Sequence, residues 1–347
     1  MPTGFKNYIL FSQNVLVKAG LKTVKFNLIY KMITPAEPSR STPLVSIVMA
    51  TYNGGRFLRE QLDSLVAQTY PNLEIVIVDD ASTDQTPAIL DEYVAVYSNI
   101  QVYKAEQNLG YIRNFEKGLL LCQGEYIALC DQDDIWLAEK ISILMRQRGH
   151  HSLIYCNSEL IDAAGERSGV KLNDLKNLLD FWTPLNYVVG GTASGHAMLV
   201  KREVILQSVP LPSMVTHDYW IGFVATLSAP MKFVHEVLVL YRQHGGNVIG
   251  VNGGGSKATK KRKISKEERD ELVRQRMKLM YEKCPEQPVE IKKVFYSLSK
   301  SYQNFSFSNN FTRMTIFFRY RKEITAYKKR SEFRRWLFCL KMFYKIE

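Results

Sequence analysis

The stretch GEYIALCDQDD, residues 124–134, places an apolar run directly before three carboxylates. The run is β-prone and uninterrupted, which is typical of a strand covered on both faces in a parallel sheet. Carboxylates as close in sequence as Asp131, Asp133 and Asp134 repel one another unless water, a proton or a cation separates them. The stretch therefore predicts a buried strand whose carboxyl end carries an acidic cluster.

Three similar runs precede this strand, and segments with helical spacing separate them. In such an alternation the strands pair in parallel and the helices cover the sheet, so we predict an α/β fold with a mainly parallel central sheet flanked by helices. Ligands of such sheets bind at the carboxyl ends of the strands. The three runs are LVSIVMA (44–50), LEIVIVDD (73–80) and IQVYKAE (100–106). The polar residues at or just after the strand ends are Asn53, Asp79, Asp80, Asn108, Asp131 and Asp133.

The charge is unevenly distributed along the 347 residues, whose formal net charge is +12. We predict an N-terminal amphipathic or linker segment (1–43), an α/β domain (44–255) and a basic helical region (256–347), with net charges of +5, −8 and +15. An acidic middle argues against a nucleic-acid partner. The basic ends favour contact with an anionic membrane surface, and the alternative is a helical cap packed on the domain.

The cysteines and the hydropathy pattern bear on the cellular compartment. Five cysteines without a CxxC pair predict a reducing compartment, with neither a zinc site nor disulfides. No run of about 18 apolar residues is present, and the first 32 residues lack the apolar core of a secretory signal. We expect a cytoplasmic protein that is peripheral at the inner face of the plasma membrane.

The spacing of Asp131 and Asp133 points to a metal. Residues i and i+2 of an extended segment face the same side, so the two carboxylates converge. Mg²⁺ or Mn²⁺ commonly binds one or two protein carboxylates together with substrate phosphates. We therefore predict a divalent metal that carries a diphosphate, and the alternative is a solvated acidic turn.

Other charged residues allow both a functional and a structural interpretation. Asp79 and Asp80 could bind a pyrimidine N–H or a ribose hydroxyl, or one of them could cap the following helix. Asp218 opens a predicted helix, where a carboxylate usually caps but could also serve as a general base.

The sequence also leaves open the roles of two arginines and one histidine. Arg113 and Arg242 could hold phosphate through their guanidinium forks or form surface salt bridges. His244 precedes two glycines and could face the diphosphate or be structural.

Three segments together resemble the family 2 glycosyltransferases, which have the GT-A fold. They are VSIVMATYNGGRFLREQLDSLVAQTYPNLEIVIVDDASTDQT, NLGYIRNFEKGL and GEYIALCDQDDIW. The resemblance covers roughly residues 44–250. The later segments HDYW and YRQHGGN, with DQDDIW, are similar to the bacterial rhamnosyltransferase-like branch, which builds cell-surface polysaccharides.

The resemblance implies a role for each matching residue. Thr51 and Tyr52 would contact the nucleoside, with Asn53 supporting their turn, and Asp79 and Asp80 would bind base and ribose. Arg113 would lie near the diphosphate. Asp131 and Asp133 would hold metal and sugar diphosphate, with His244 as a further candidate ligand. Asp218 would be the base that deprotonates the acceptor, although the family usually has Glu or Thr where this chain has His217.

The implied activity is inverting transfer of a sugar from a nucleoside-diphosphate donor to a hydroxyl of a cell-surface or lipid-linked glycan. The donor implied first is dTDP-rhamnose, and the alternative is a UDP-hexose. The chain lacks the QxxRW segment of processive synthases, which favours addition of one or a few sugars. Competing hypotheses are a non-catalytic nucleotide-sugar-binding protein and a nucleic-acid-binding protein.

Overall fold

The computed structural model of the chain describes residues 42–191, 193–245 and 265–345. The predicted amphipathic segment at the N-terminus lies outside these ranges. The predicted domain boundary near residue 255 lies outside them as well. Both therefore stay predictions.

Within the described residues, one mixed sheet of nine strands forms the centre of the structure. Its order is β3-β2-β1-β4-β8-β6-β9-β5, and β7 pairs with β6. The strands are β1 (Val45–Thr51), β2 (Leu73–Asp79), β3 (Ile100–Lys104), β4 (Tyr126–Cys130), β5 (Ile135–Trp136), β6 (Leu153–Ile161), β7 (Arg167–Lys171), β8 (Met198–Lys201) and β9 (Met231–Arg242).

The predicted parallel part of the sheet is confirmed, because β1 to β4 pair only in parallel with one another. The expectation of a mainly parallel sheet is too simple for the remainder. Strand β8 runs antiparallel to both β4 and β6, while β6 and β9 are parallel. The pairing therefore switches from parallel to antiparallel at β4, where β8 joins the sheet.

Helices cover both faces of the sheet. In chain order they are α1 (Leu58–Val66), α2 (Thr86–Val96), α3 (Tyr111–Leu121), α4 (Lys140–Gln147), α5 (Leu172–Leu175), α6 (Arg202–Ser208), α7 (His217–Ser228), α8 (Lys266–Lys283), α9 (Val289–Tyr302), α10 (Phe307–Arg319), α11 (Arg321–Ile324) and α12 (Glu332–Lys341). Alternate residues of β1 point to opposite faces, so Ile47 and Met49 join one apolar core and Val48 joins the other.

The register of the parallel strands brings their carboxyl ends together. Thr51 lies opposite Asp79, and Met49 lies opposite Cys130. The loops that follow β1, β2 and β4 therefore meet at one edge of the sheet. This edge is where the acidic residues Asp131 and Asp133 are placed.

The helices after residue 265 contribute apolar side chains to the same core as the sheet. Met277, Phe295 and Phe317 are fully buried and belong to the cluster that contains Val48 and Phe223. Asn186 of the sheet domain also donates a hydrogen bond of 2.9 Å to the carbonyl of Glu323. Among the described residues, no helix combines the length and apolarity that a membrane span requires.

Candidate active site

The turn after β1 is fixed by hydrogen bonds to the loop after β2. Asn53 adopts a left-handed backbone conformation (φ +48°), and its N–H donates to Ser82 Oγ at 2.8 Å. Asn53 Oδ1 in turn accepts the N–H of Thr83. Asn tolerates this conformation better than most residues, which explains its position. Asn53 thus joins the turn after β1 to the loop after β2, and Tyr52 beside it is about half exposed. Contact of this turn with a nucleoside stays a prediction.

The carboxylates of Asp79 and Asp80 are buried and hydrogen-bonded within the chain. Asp79 accepts the hydroxyls of Thr51 (2.8 Å) and Ser82 (2.6 Å). Asp80 accepts the backbone N–H groups of Leu109 and Gly110. Neither caps helix α2, because Asp84 accepts the N–H of Thr86 at its start. The capping alternative is therefore wrong, and binding of base or ribose by this pair stays a prediction.

The carboxylates of the predicted metal pair point to different partners. Asp133 Oδ2 lies 2.8 Å from Nε2 of His244, whose ring packs against Phe57. Asp131 Oδ2 lies 3.7 Å from Nδ1 of His196. The structure thus brings His244 to Asp133, and a role for His244 as a metal ligand stays a prediction. The structure also adds His196, which the sequence had not singled out.

Asp134 is the most deeply buried member of the acidic cluster. Its Oδ1 accepts the N–H of Arg242, while its Oδ2 has no hydrogen-bond partner among the described residues and lies 3.7 Å from His196 Nδ1. Burial and the negative charges of Asp133 and Asp131 raise the pKa of Asp134 well above its ordinary value. Asp134 caps no helix, because Ile135 and Trp136 form strand β5 rather than the start of a helix.

A buried lysine completes the surroundings of His196. Lys140 Nζ donates to the carbonyl of His196 at 2.6 Å and lies 2.9 Å from the ring centroid of Trp136. Burial lowers the pKa of Lys140 to about 8. On the other side of the ring, His196 Nε2 and Ser158 Oγ share a hydrogen bond of 2.9 Å. The orientation of His196 is therefore fixed by its neighbours.

The two arginines have separate positions. Arg242 is buried beneath the acidic loop, where Nε donates to the carbonyl of Asp133 and Nη2 pairs with Glu60 at 2.5 Å. These contacts give Arg242 a role in holding the loop rather than in binding phosphate. Arg113 is half exposed and pairs with Glu116 at 3.0 Å, so its proposed contact with the diphosphate stays a prediction.

Asp218 lies in the first turn of α7, as expected, and Thr216 is the N-cap residue of that helix. His217 is buried against the ring of Phe115, with centroids 4.1 Å apart, and its two nitrogens lack a hydrogen-bond partner among the described residues. The Asp218 side chain caps no backbone group further along the helix, because Oδ1 accepts only the adjacent N–H of Tyr219 in the described structure. Its carboxylate therefore retains acceptor capacity for another ligand.

One dipeptide connects Asp218 with the acidic cluster. A Cβ added to Gly195 would lie 3.5 Å from Cβ of Asp218 and 3.1 Å from Nε2 of His217. The next residue, His196, faces Asp131 and Asp134. Because any side chain at position 195 would crowd His217, glycine permits this close approach. The dipeptide thus places Asp218 near the acidic cluster, and a shared site for Asp218 and Asp131 stays a prediction.

The acidic cluster has the chemistry of a divalent metal site. The potential ligand atoms of Asp131, Asp134 and His196 all lie within 4.8 Å of one another. The unpartnered buried oxygen of Asp134 is an observation that a cation would explain. Carboxylate oxygens suit Mg²⁺ and Mn²⁺, so the residues fit the predicted metal. The group shares Asp131 with the predicted metal pair, while Asp133 pairs with His244 beside it, so the set of carboxylates that holds the metal stays a prediction.

The residues that sequence reasoning missed come from distant segments. His196 follows β4 by more than sixty residues and lies in the glycine-rich stretch VVGGTASGHAMLV. No recognised motif in that stretch indicates a functional histidine. Its partner Lys140 lies in a helix whose sequence pattern predicts only an ordinary amphipathic helix. The one available signal was the position of His196 directly before a strand-like run that ends a glycine-rich loop.

Comparisons with known proteins show which proteins this chain is similar to. Residues 46–203 match the family model described as Glycosyl transferase family 2. An uncharacterized glycosyltransferase of Haemophilus influenzae is 28% identical over 242 residues, which cover 65% of this chain and 73% of that protein. A similarly named protein of Rickettsia typhi is 29% identical over 212 residues, 58% of this chain and 65% of its own length. The chain thus spans just under two thirds of that relative.

Among solved structures, TarS residues 1–349 from S. aureus in complex with UDP-GlcNAc matches with a TM-score of 0.55. The two chains are 20% identical, and the match covers 86% of this chain and 80% of that one. The same protein without the ligand matches with a TM-score of 0.52. At this identity the likeness establishes the fold. The prediction of the GT-A fold is confirmed, and the match of residues 46–203 makes this chain similar to glycosyl transferase family 2.

Proposed function

We propose that the protein is an inverting glycosyltransferase that moves a sugar from a nucleoside-diphosphate donor to an acceptor hydroxyl. The observation that carries this proposal is the placement of Asp218 and Asp131 on either side of the Gly195–His196 dipeptide. A transferase of this kind needs a base for the acceptor beside a site for the departing diphosphate. In this proposal Asp218 would be the base, and the acidic edge of the sheet would hold the diphosphate.

Asp218 supplies the base in this proposal. Its carboxylate accepts the proton of the acceptor hydroxyl as the oxygen attacks the anomeric carbon. The bond from that carbon to the diphosphate breaks as the new glycosidic bond forms on the opposite face, so the anomeric configuration inverts. The turn at Tyr52 and Asn53, held by Ser82 and Gln132, would position the nucleoside.

The diphosphate would lie at the acidic edge of the sheet. Asp131 and Asp133 would hold the divalent metal, with His244 beside Asp133 and with Asp134 and His196 beside Asp131. When bound, Mg²⁺ or Mn²⁺ supplies positive charge that offsets the charge developing on the leaving diphosphate. Arg242 and Lys140 support these residues from below by holding Asp133 and His196.

The donor and acceptor are proposed from resemblance and charge. The segments DQDDIW, HDYW and YRQHGGN support dTDP-rhamnose as the first donor. A UDP-hexose is the alternative, and TarS with bound UDP-GlcNAc is an example of this fold with such a ligand. The acceptor would be a cell-surface or lipid-linked glycan, which suits a protein that works in the cytoplasm at the inner face of the membrane.

An apolar and basic surface on the C-terminal helices supports the membrane contact. Phe333, Leu337 and Leu340 recur on the outer face of α12 and are exposed, while Phe338 and Met342 are buried beneath them. The surface continues through Phe307, whose ring lies 5.5 Å from that of Phe343. Residues 303–347 contain eleven Lys and Arg against three Glu. Basic residues interleaved with exposed aromatics suit an anionic lipid interface.

A donor panel tests the proposal. The full chain is incubated with Mn²⁺ or Mg²⁺, a lipid-extract acceptor and one donor at a time, including dTDP-rhamnose and UDP-hexoses. We expect nucleoside diphosphate to be released with one class of donor and only with metal present. A protein that binds donors without turnover under all these conditions would instead be a binding module. A protein that neither binds nor turns over any donor would contradict the proposal entirely.

A further inference from the structure

A basic pocket of about 450 Å³ lies between the α/β domain and the C-terminal helices. Lys176 and Gly191 line it from the domain, and the segment between α11 and α12 lines the opposite wall. The five cations of its lining are Lys176, Lys328, Lys329, Arg330 and Arg334. None of the lining residues is acidic. Among the described residues, none of the five cations forms an ion pair with a carboxylate within 4.0 Å.

The pocket is built by fixed contacts and is not a chance juxtaposition of surface side chains. Asn177 Nδ2 donates to the carbonyl of Ala326 at 2.7 Å, which attaches the segment before the pocket to the domain. Lys329 Nζ donates to the carbonyls of Asn173 and Asp174. A Cβ on Gly190 would lie 2.8 Å from Cε2 of Tyr327, so only glycine allows that ring to pack here.

The pocket lies near Asp218. Gly191, which lines the pocket, stands four residues before Gly195, where an added Cβ would lie 3.5 Å from Cβ of Asp218. Burial lowers the pKa of Lys176, and the negative charge of Asp218 opposes that shift. No residue predicted to bind the donor lines the pocket. A ligand in the pocket would therefore approach Asp218 from the C-terminal helices rather than from the nucleotide side.

We propose that this pocket binds a phosphate or diphosphate group of the acceptor and thereby places the acceptor hydroxyl beside Asp218. Arginine forks and lysine ammonium groups are the side chains that bind phosphate oxygens most directly. The volume lies within the range of small-ligand sites. This inference rests on the proposed transferase activity and adds the chemical class of its acceptor. The phosphate could belong to a lipid carrier or to a phosphate within a glycan chain, and the chemistry of recognition is the same.

The test uses the full chain and inorganic pyrophosphate as the probe. Titration calorimetry is done without divalent metal, so that the acidic edge does not recruit the probe. The pocket variant is Lys328→Gln/Arg330→Gln/Arg334→Gln, and its matched control is Lys266→Gln/Lys293→Gln/Lys345→Gln on exposed lysines elsewhere in the same region. We expect affinity for pyrophosphate to fall about tenfold or more in the pocket variant and less than about twofold in the control.

A second variant protects the test against loss of folding. Arg330 packs over the ring of Phe338, with 4.8 Å from Cζ to the ring centroid, so its replacement could destabilise the helices. The double variant Lys328→Gln/Arg334→Gln changes only exposed side chains. It should retain the thermal stability of the parent and still lose about threefold to tenfold in pyrophosphate affinity. Equal losses in the pocket and control variants, or no saturable binding by the parent, would overturn the proposal.

Two further arms separate the alternatives. Vesicles of phosphatidylcholine, with and without phosphatidylglycerol, distinguish a general anionic surface from a pocket. If the pocket variant loses vesicle binding but keeps pyrophosphate binding, the cations serve the lipid surface and the proposal is wrong. Binding of the nucleoside diphosphate with Mn²⁺ is measured in parallel and should not change. If the parent protein did not bind the nucleoside diphosphate with Mn²⁺, that result would contradict the proposed transferase activity, whatever the pocket variants show.

Discussion

The loops at the carboxyl ends of β1, β2 and β4 and the helices of residues 266–341 are organised by different physics. At the strand ends, short hydrogen bonds such as Thr51 to Asp79 and Asn53 to Ser82 fix polar side chains in place. The C-terminal helices bury apolar residues such as Phe295 on one side and expose cations and aromatics on the other. The first region is therefore suited to precise chemistry, and the second to holding a larger partner. Changes in the first should affect turnover, and changes in the second should affect stability or association.

The largest effect is expected at Asp218. Asp218→Asn removes the proton acceptor while it preserves size, so we expect transfer to fall by about 10²- to 10⁴-fold, the usual range for a general base. Donor binding should stay within about twofold of the parent, because the nucleotide side of the site is unchanged. The measurement is the initial rate of nucleoside-diphosphate release beside the dissociation constant of the donor.

Asp91→Asn is a matched control for this change. Asp91 lies on the outer face of α2 and pairs with Lys104 at the surface, so its replacement should leave the rate of transfer unchanged. If Asp218→Asn retained full transfer, Asp218 would not be the base. If it lost donor binding as well, the residue would have a structural role at the start of α7.

Phe317→Ala should have the next largest effect, on stability rather than on turnover. Phe317 is fully buried and packs against Phe338, with ring centroids 6.0 Å apart. Truncation of a buried Phe costs about 3–5 kcal/mol in free energy of unfolding. The measurement is chemical denaturation of the full chain. Phe311→Ala on the exposed face of the same helix is the control and should change the free energy of unfolding by less than about 0.5 kcal/mol. Equal losses of stability in the two variants would show that packing does not distinguish the two faces of the helix.

The sequence allowed the first region to be predicted more fully than the second. Uninterrupted apolar runs placed β1 to β4, and acids at their ends located Asp131, Asp133 and the edge of the sheet. The antiparallel return of β8 was not predictable, because long-range pairing leaves no local pattern. His196 and Lys140 were missed for the same reason, since only folding brings them beside Asp131 and Asp134. The burial of Arg242 likewise depends on Glu60, which lies 182 residues away.

His196→Gln should weaken metal binding at the first region. The imidazole faces both Asp131 and Asp134, and without it the two carboxylates lose a shared partner. We expect the affinity for Mn²⁺, measured by electron paramagnetic resonance of the free ion, to fall by about 10- to 100-fold. His150→Gln changes an exposed histidine and serves as the control. Unchanged Mn²⁺ affinity would show that His196 is a packing residue only.

The smallest effect is expected at the exposed apolar surface of α12. Phe333→Ser/Leu337→Ser should reduce binding to vesicles with phosphatidylglycerol by about threefold to tenfold, because less apolar area enters the interface. Leu206→Ser/Leu272→Ser changes exposed leucines on other helices and should have no effect. Vesicle sedimentation at constant salt measures both variants. Equal reductions in the two pairs would contradict a docking surface confined to α12 and its neighbours.

The central claim is that the acidic edge of the sheet binds a metal and a diphosphate in front of Asp218. Anomalous diffraction from crystals of the full chain with Mn²⁺ and a nucleoside diphosphate tests it most directly. We predict one strong manganese peak bounded by the carboxylates of Asp131 and Asp133, with the diphosphate on its open side toward Asp218. A nucleotide bound at the strand ends without manganese, or a peak that lies away from these carboxylates, would contradict the claim.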